Sequence, residues 1–318
     1  MMNSPDSRKQ YSPETGAGGG EQSANGGTAA RGGEQSANGG PAARGGEQSG
    51  QREIQTAGNV RKTNGGADRT SLLVEIFARI CAFWGLILFV ITMLLFMIPF
   101  LLFSYSQPDP TRNRRFIRYA RVWMGVYLTG IGCPLRIKGR EKFRKGENYI
   151  VVFNHNSLMD VPISSPGVPG ANKTIAKTSF AKVPVFGMLY RTGSILVDRN
   201  SEASRRDSFI KMKEVLDMGM HMTLYPEGTR NLTDQPLKTF HNGAFRLALT
   251  TGKSIIPAMI FHSKYVLPAN KTFFLRPHRL VLHFLDPVVA RPGESVDELK
   301  DRVHQIMEDY YVTTKPKV

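Results

Sequence analysis

The chain has 318 residues, enough for one sizeable core plus appendages. Its net charge of +16 calls for an anionic partner, either nucleic acid or an anionic membrane. The only cysteines, Cys81 and Cys133, have no spacing suited to a metal site or redox pair, which excludes a disulfide framework and fits a reducing compartment.

Residues 1–70 hold eight basic and seven acidic side chains, so nearly all of the excess charge lies beyond them. This segment repeats GGEQSANGG-[TP]-AAR, with Glu21, Glu34 and Glu47 at one fixed spacing, and offers almost nothing apolar to bury. Such a chain cannot offset its ordering entropy, so a disordered Gly-rich tail is expected. The unit is too short and too rich in glycine for a solenoid.

From Ile80 to Ser106 there is no charged side chain, and CAFWGLILFVITMLLFMIPFLLF exceeds the roughly 20 apolar residues that cross a bilayer. A membrane segment is expected, not a signal peptide, because a long polar stretch precedes it and no small-residue cleavage site follows. Pro99 leaves two topologies open, a single span and a re-entrant hairpin in one leaflet. Next, TRNRRFIRYARVWMGVYLTGIG sets Arg114, Arg118 and Arg121 three or four residues apart, with Phe116, Ile117 and Trp123 between them. On a helix this makes a basic stripe beside an apolar one, suited to a headgroup layer. With no aromatic-basic sheet motif in the chain, membrane surface is favoured over nucleic acid.

Beyond Gly132, short β-branched runs alternate with helical ones. Strands are expected at Leu135–Lys138, Tyr149–Phe153, Thr174–Ala176, Ser194–Val197, Met220–Tyr225, Ile255–Ile260 and Leu280–Leu285. Helices are expected at Val185–Thr192, Glu202–Met218, Phe240–Thr250 and Val296–Tyr311. The pattern predicts an α/β fold, a mixed sheet flanked by helices, with sites where strands end in loops. The expected organisation is a disordered low-complexity tail (1–70), membrane-anchoring helices (71–132) and an α/β domain (133–318).

NHNSLMD, residues 154–160, follows the apolar run YIVVF at such a strand end. In a continuous helix, residues five apart differ by about 140°, so His155 and Asp160 would face apart. A helix that starts just after His155, capped by Asn156 or Ser157, lets the Asp160 carboxylate turn back to the ring. It would fix the tautomer and raise the basicity of the other nitrogen, as a general base for an alcohol requires. No nucleophile accompanies the pair, so the attacking oxygen would come from the substrate. Alone, the spacing is weak and fits a capped structural histidine better. LYPEGTRN, after another apolar strand, sets a Pro-Glu-Gly turn and its N–H groups beside an arginine, which suits an anion or a developing oxyanion. TGSILVDR ends on Arg199, a bidentate fork for phosphate. Base, turn and arginines together suit an alcohol that bears a phosphate.

NHNSLMD, the block KTSFAKVPVFGMLYRTGSILVDR, YPEGTRN, and Ile256-Pro257 after a strand resemble the four successive motifs of the 1-acylglycerol-3-phosphate acyltransferase (lysophosphatidate acyltransferase) family, in order, over roughly Gly139 to Pro287. The resemblance implies a membrane-bound enzyme. It would move an acyl chain from acyl-CoA or acyl carrier protein to the free hydroxyl of 1-acylglycerol 3-phosphate, giving phosphatidic acid. No cofactor, metal, nucleic acid or acyl-enzyme is implied. His155 would take the hydroxyl proton and Asp160 would orient it. Arg199 and Arg230 would hold the acceptor phosphate, with Lys177 a further contact. Glu227 and the backbone of Gly228 and Thr229 would shape the turn near the thioester carbonyl. Two departures touch acceptor and chain-length preference: Lys177-Thr178-Ser179 stands where many members have Lys-Glu-Leu, and Leu196 where many have an aromatic. Another acceptor (glycerol 3-phosphate, another lysophospholipid or a lyso-amino-acid lipid) and a non-catalytic lipid-binding protein remain open. Arginines crowd the C-terminal flank of the apolar run, which places the catalytic domain on the cytoplasmic face of the inner (cell) membrane.

Overall fold

The computed structural model describes residues 65–183, 186–198 and 200–314. The glycine-rich repeats, where a disordered tail is expected, lie outside the described residues. In chain order the elements are α1 (Gly65–Phe103), α2 (Thr111–Gly130), β1 (Leu135–Lys138), β2 (Ile150–Phe153), α3 (Asp160–Gly167), β3 (Asn172–Lys177), α4 (Phe186–Gly193) and β4 (Ser194–Val197). There follow α5 (Glu202–Asp217), β5 (His221–Leu224), α6 (Gly243–Thr251), β6 (Ile255–Phe261), α7 (Ser263–Val266), β7 (Leu280–Phe284) and α8 (Val296–Thr314).

The apolar run forms most of α1, and residues 71–103 are long and apolar enough to cross a membrane. Pro99 lies within the helix near its end and does not terminate it. Trp84 Nε1 donates to Gly130 O at 3.0 Å, Trp123 Nε1 donates to Thr92 Oγ1 at 2.9 Å, and the Phe100 and Phe116 rings meet at 5.4 Å. Positions thus descend along α2 as they ascend along α1, and the two helices are antiparallel. Gly130 permits the close approach, since a Cβ there would stand 2.6 Å from Leu88 Cδ2. The other flank of α1 is uncovered: Leu73, Ile80, Leu95 and Leu102 are each over 60% exposed.

α2 is tied in turn to the sheet. Asn113 Nδ2 donates to Asn172 O and Thr192 O, and its Oδ1 accepts from Asn172 N at 2.8 Å. The expected arginine stripe is divided. Arg114 and Arg118 are exposed, whereas the half-buried Arg121 donates to Pro166 O and Val168 O at 2.9 Å, satisfying carbonyls at the end of α3.

The sheet order is β1-β7-β6-β2-β5-β3-β4, with β6 and β7 antiparallel and every other pair parallel. β2, β5 and β6 are buried along their whole length, as central strands covered on both faces are. One face packs on α5, α6 and α8 through Val152, Met222, Met259 and Val281. The other packs on α1, α2 and α3 through Val151, Phe153, Ile260 and Leu282. β2, β3, β4, β5 and β6 all end at one edge of the sheet, so the loops after them are neighbours.

β1 and β4 occupy their expected bounds, and the other strands differ by one or two residues. α3 starts at Asp160, later than a helix beginning just after His155, and runs through Pro162 and Pro166. Pro162 falls in the first turn, where its missing N–H removes no helical bond. α6 starts at Gly243 rather than Phe240, since His241 N donates instead to Pro226 O at 2.8 Å. Ile256-Pro257 lies inside β6 rather than after a strand. Pro257 O accepts from Leu285 N, so the position where proline lacks its N–H also faces the β7 side, where paired register starts only at Ala258.

Candidate active site

β2 leaves the sheet at Asn154, whose fully buried side chain donates to Ile260 O at 3.0 Å and accepts from Ile260 N at 2.7 Å. The amide thus completes the edge of β6 and fixes the next residue. His155 N donates to Glu227 Oε1 at 2.8 Å, and His155 O accepts from Asn231 N at 2.6 Å. Its backbone is held on both sides by the loop after β5. Its ring lies over that of Tyr225, with centroids 4.4 Å apart.

The His155 and Asp160 side chains meet, Nδ1 to Oδ2, at 2.9 Å. The same Oδ2 accepts from Asn156 N at 2.6 Å and Ser157 N at 2.8 Å. The helix starts at Asp160 itself, not just after His155, and Asn156 and Ser157 are not its caps. The carboxylate satisfies their N–H groups directly, and the positive end of α3 supports its charge. Ser157 Oγ braces the loop from outside, donating to Leu267 O at 2.7 Å. Asp160 is fully buried, while the His155 side chain is 16% exposed. A carboxylate at Nδ1 places the proton there and leaves Nε2 as an acceptor on the reachable side of the ring.

The loop after β5 is a brace. Glu227 is 1% exposed; its second oxygen accepts from Lys238 N at 3.3 Å. Burial pushes its carboxyl up to about 7, against the lowering effect of the two backbone N–H donors. The side chain turns inward rather than toward a substrate. The two N–H groups expected to face an oxyanion are engaged within the turn: Gly228 N donates to Tyr225 O at 3.0 Å and Thr229 N to Glu227 O at 2.8 Å. A turn this tight closes on its own carbonyls, leaving the exposed Thr229 side chain to accept from Lys238 Nζ at 2.7 Å. Gly228 has φ +68, a left-handed conformation that favours glycine, and a Cβ there would press on the His241 ring at 2.8 Å.

Arg230 is half-buried and Lys177 exposed at the end of β3, and neither side chain makes a hydrogen bond or ion pair to another described residue. Lys177 ends the second strand from β2, roughly 10 Å away across the sheet. Arg199 lies outside the described residues. Tyr225, Asn154, Asn231 and Lys238 complete the site and were missed in the sequence, although the two asparagines stand inside NHN and TRN. Among the described residues, no group of three or more His, Cys, Asp or Glu is placed to hold a metal ion.

A family model described as Acyltransferase matches residues 134–261. Over 173 residues the chain is 30% identical to a 1-acyl-sn-glycerol-3-phosphate acyltransferase of Chlamydomonas reinhardtii, a match covering 53% of this chain and 50% of that protein. The enzyme of the same name from Salmonella typhimurium (strain LT2) is 30% identical over 169 residues, covering 51% of this chain and 67% of the relative. The Escherichia coli (strain K12) enzyme is 29% identical over 165 residues, covering 51% and 66%. The chain therefore spans between half and two thirds of the length of these curated relatives. The crystal structure of the 1-acyl-sn-glycerophosphate (LPA) acyltransferase PlsC from Thermotoga maritima superposes with a TM-score of 0.66 at 22% identity, over 76% of this chain and 98% of that one, a likeness of fold. A strand-end His and Asp in contact, in a sheet of this topology and with relatives of this extent, place the chain in the 1-acyl-sn-glycerol-3-phosphate acyltransferase family.

Proposed function

We propose that the protein transfers an acyl chain from a thioester to the free hydroxyl of 1-acylglycerol 3-phosphate. The observation that carries this reading is the contact between His155 Nδ1 and Asp160 Oδ2, which leaves Nε2 free at a reachable strand end. Nε2 takes the proton of the acceptor hydroxyl as its oxygen attacks the thioester carbonyl, and Asp160 stabilises the imidazolium that forms. The tetrahedral intermediate expels the thiolate, which recovers the proton from His155 Nε2. The products are phosphatidic acid and free thiol, with no bond between acyl chain and enzyme. Arg230, Arg199 and Lys177 bind the acceptor phosphate, and Glu227 with the Gly228–Thr229 turn positions His155.

The uncovered flank of α1 is the membrane contact. Because α1 runs back along α2, and α2 is fixed to the sheet, a perpendicular crossing would carry part of the domain into the bilayer. This supports α1 lying in one leaflet over a perpendicular span, its continuity through Pro99 speaks against a re-entrant hairpin, and the arginines after the apolar run support the cytoplasmic face. Each buried CH2 contributes about 0.8 kcal/mol, so a sixteen-carbon chain is retained in lipid by roughly 12 kcal/mol and the site has to come to the membrane. The division into a tail (1–70), membrane helices (71–132) and catalytic domain (133–318) follows this reading.

The test is mass spectrometry of products from the purified chain given a panel of lysolipids and glycerol 3-phosphate, with acyl-CoA and acyl carrier protein as donors. Phosphatidic acid from 1-acylglycerol 3-phosphate is the expected product. Acylation only of another acceptor would reassign the substrate, and no product with any pair would refute the activity.

A further inference from the structure

The cations assigned to the acceptor lie on the β5 and β3 side of β2. On the other side come β6, β7 and β1. The β2–β6 register, Phe153 opposite Ala258, continues to set His155 level with Ile260, so His262 lies two residues further along the adjacent strand end, with its backbone roughly 5–10 Å from that of His155. There starts a cavity of about 570 Å3 lined by Arg136, Lys138, His262, His278, Arg279 and His283.

Register builds this lining. Arg136 pairs with Val281 and Lys138 with His283, so these four side chains share one face of the β1–β7 edge. No acidic residue lines the cavity among the described residues. The side chains of Arg136, Lys138 and Arg279 make no hydrogen bond or ion pair to another described residue. His283 is 4% exposed; its Nδ1 meets the Tyr310 hydroxyl at 2.8 Å, while Nε2 is buried without a partner. Burial, then the Lys138 and Arg136 cations, hold its pKa below the usual value. Like charges gathered in a concave site without a counter-charge repel one another, and a multiply charged anion relieves that repulsion.

The face decides the kind of anion. Val281 packs with α8, whereas its neighbours Leu280 and Leu282 face the cluster that includes α1 and α2. The cavity is therefore on the side of the sheet turned away from the uncovered apolar flank of α1, away from lipid headgroups. Its volume suits a small polyanion rather than a protein surface.

We propose that this cavity binds the phosphate-bearing nucleotide head of a coenzyme A thioester, so that His155 stands between two anion sites, the acceptor phosphate on the β5 side and the donor phosphates on the β7 side. This rests on the acyl-transfer reading above. It selects coenzyme A over a carrier protein as donor.

The experiment compares the full chain with the triple variant Arg136→Ala/Lys138→Ala/Arg279→Ala, all three exposed side chains whose loss removes no packing. Three palmitoyl thioesters are used at fixed acceptor: coenzyme A, dephospho-coenzyme A and pantetheine, which has no phosphate. Wild-type KM is expected to rise along that series. The variant raises KM for palmitoyl-CoA at least tenfold, leaves that for palmitoyl-pantetheine in place and leaves acceptor KM unmoved. Calorimetry with free coenzyme A on full-chain His155→Ala protein, with and without the three substitutions, reads the same loss without turnover. An equal rise for all three thioesters, no rise, or a rise in acceptor KM overturns the assignment. So does an unchanged donor KM with weaker binding to phosphatidylglycerol vesicles, which would assign the cavity to a lipid headgroup. If wild-type protein makes no phosphatidic acid, the acyl-transfer reading fails; if it does and the variant's donor KM is unchanged, only the donor site fails.

Discussion

The loop after β2 and the basic groups around it lie along one edge of a sheet, yet their charges are treated in opposite ways. In NHNSLMD, one buried carboxylate oxygen meets the His155 ring and accepts two backbone N–H groups, and Glu227 secures the loop from the neighbouring strand end. Arg230, Lys177, Arg136, Lys138 and Arg279 have no hydrogen-bonding or ion-pair partner for their side chains among the described residues. Charge that is matched within the protein holds geometry without a ligand, as a base that must act at a set position requires. Charge left unmatched is available to substrates. The difference separates residues whose loss should affect kcat from those whose loss should affect KM.

The largest effect that tests this division comes from Asp160→Asn. The amide oxygen can replace Oδ2 for all three of its partners, and the NH2 then falls at Oδ1, which has no hydrogen-bond partner. Geometry survives while the charge is lost. A fall in kcat of about 10²–10⁴-fold is expected, with melting temperature and acceptor KM near wild type. A large rise in acceptor KM with kcat retained would erase the distinction between the two classes.

Arg230→Ala should act in the opposite sense. Loss of a hydrogen-bonded charge contact amounts to about 1.5–3 kcal/mol, so acceptor KM should rise roughly 10- to 100-fold with thioester KM unchanged. Arg230→Lys should recover part of it, since an ammonium lacks the planar fork. Steady-state kinetics with each substrate varied in turn checks both.

The smallest effect sharpens the role of Glu227. Its carboxyl is raised from 4.5 to about 7, so between those values the native protein retains a proton that the unfolded chain has released. Stability from this group is therefore lost as pH rises through that window. Glu227→Gln removes the dependence. The melting temperature of wild type minus that of the variant should fall between pH 5 and pH 7.5. His221, which burial holds at about 4, has the opposite slope, but it is common to both proteins and cancels. A flat or rising difference would show that Glu227 is ionised throughout.

The same matched and unmatched division explains what the sequence discloses. β1 lies between Pro134 and Gly139 and β4 between Gly193 and Asp198, residues that break or end a strand, and their limits are visible in the chain alone. The limits of α3 are not, because its two prolines look like loop, and its start at Asp160 depends on a carboxylate accepting N–H groups from residues before it. His155 and Asp160 stand out as a pair of residue types at a strand end. The brace of Glu227, Asn231 and Tyr225 depends on β5 lying beside β2, a long-range pairing that local pattern does not encode. For the same reason Arg121 looks like part of a surface stripe until α3 is folded against it. Arg136 and Lys138, alternate residues on a short strand, acquire significance only through register with Val281 and His283.

The most direct test of the central claim is His155→Ala in the full chain, purified alongside wild type and supplied with acyl-CoA and 1-acylglycerol 3-phosphate, with phosphatidic acid followed by mass spectrometry. The ring is partly exposed and the backbone bonds of His155 do not need it, so the variant should keep the melting temperature of wild type within a few degrees. The predicted result is phosphatidic acid from wild type and a loss of at least about 10³-fold from the folded variant. A folded His155→Ala protein that forms phosphatidic acid at a rate close to wild type would contradict the account.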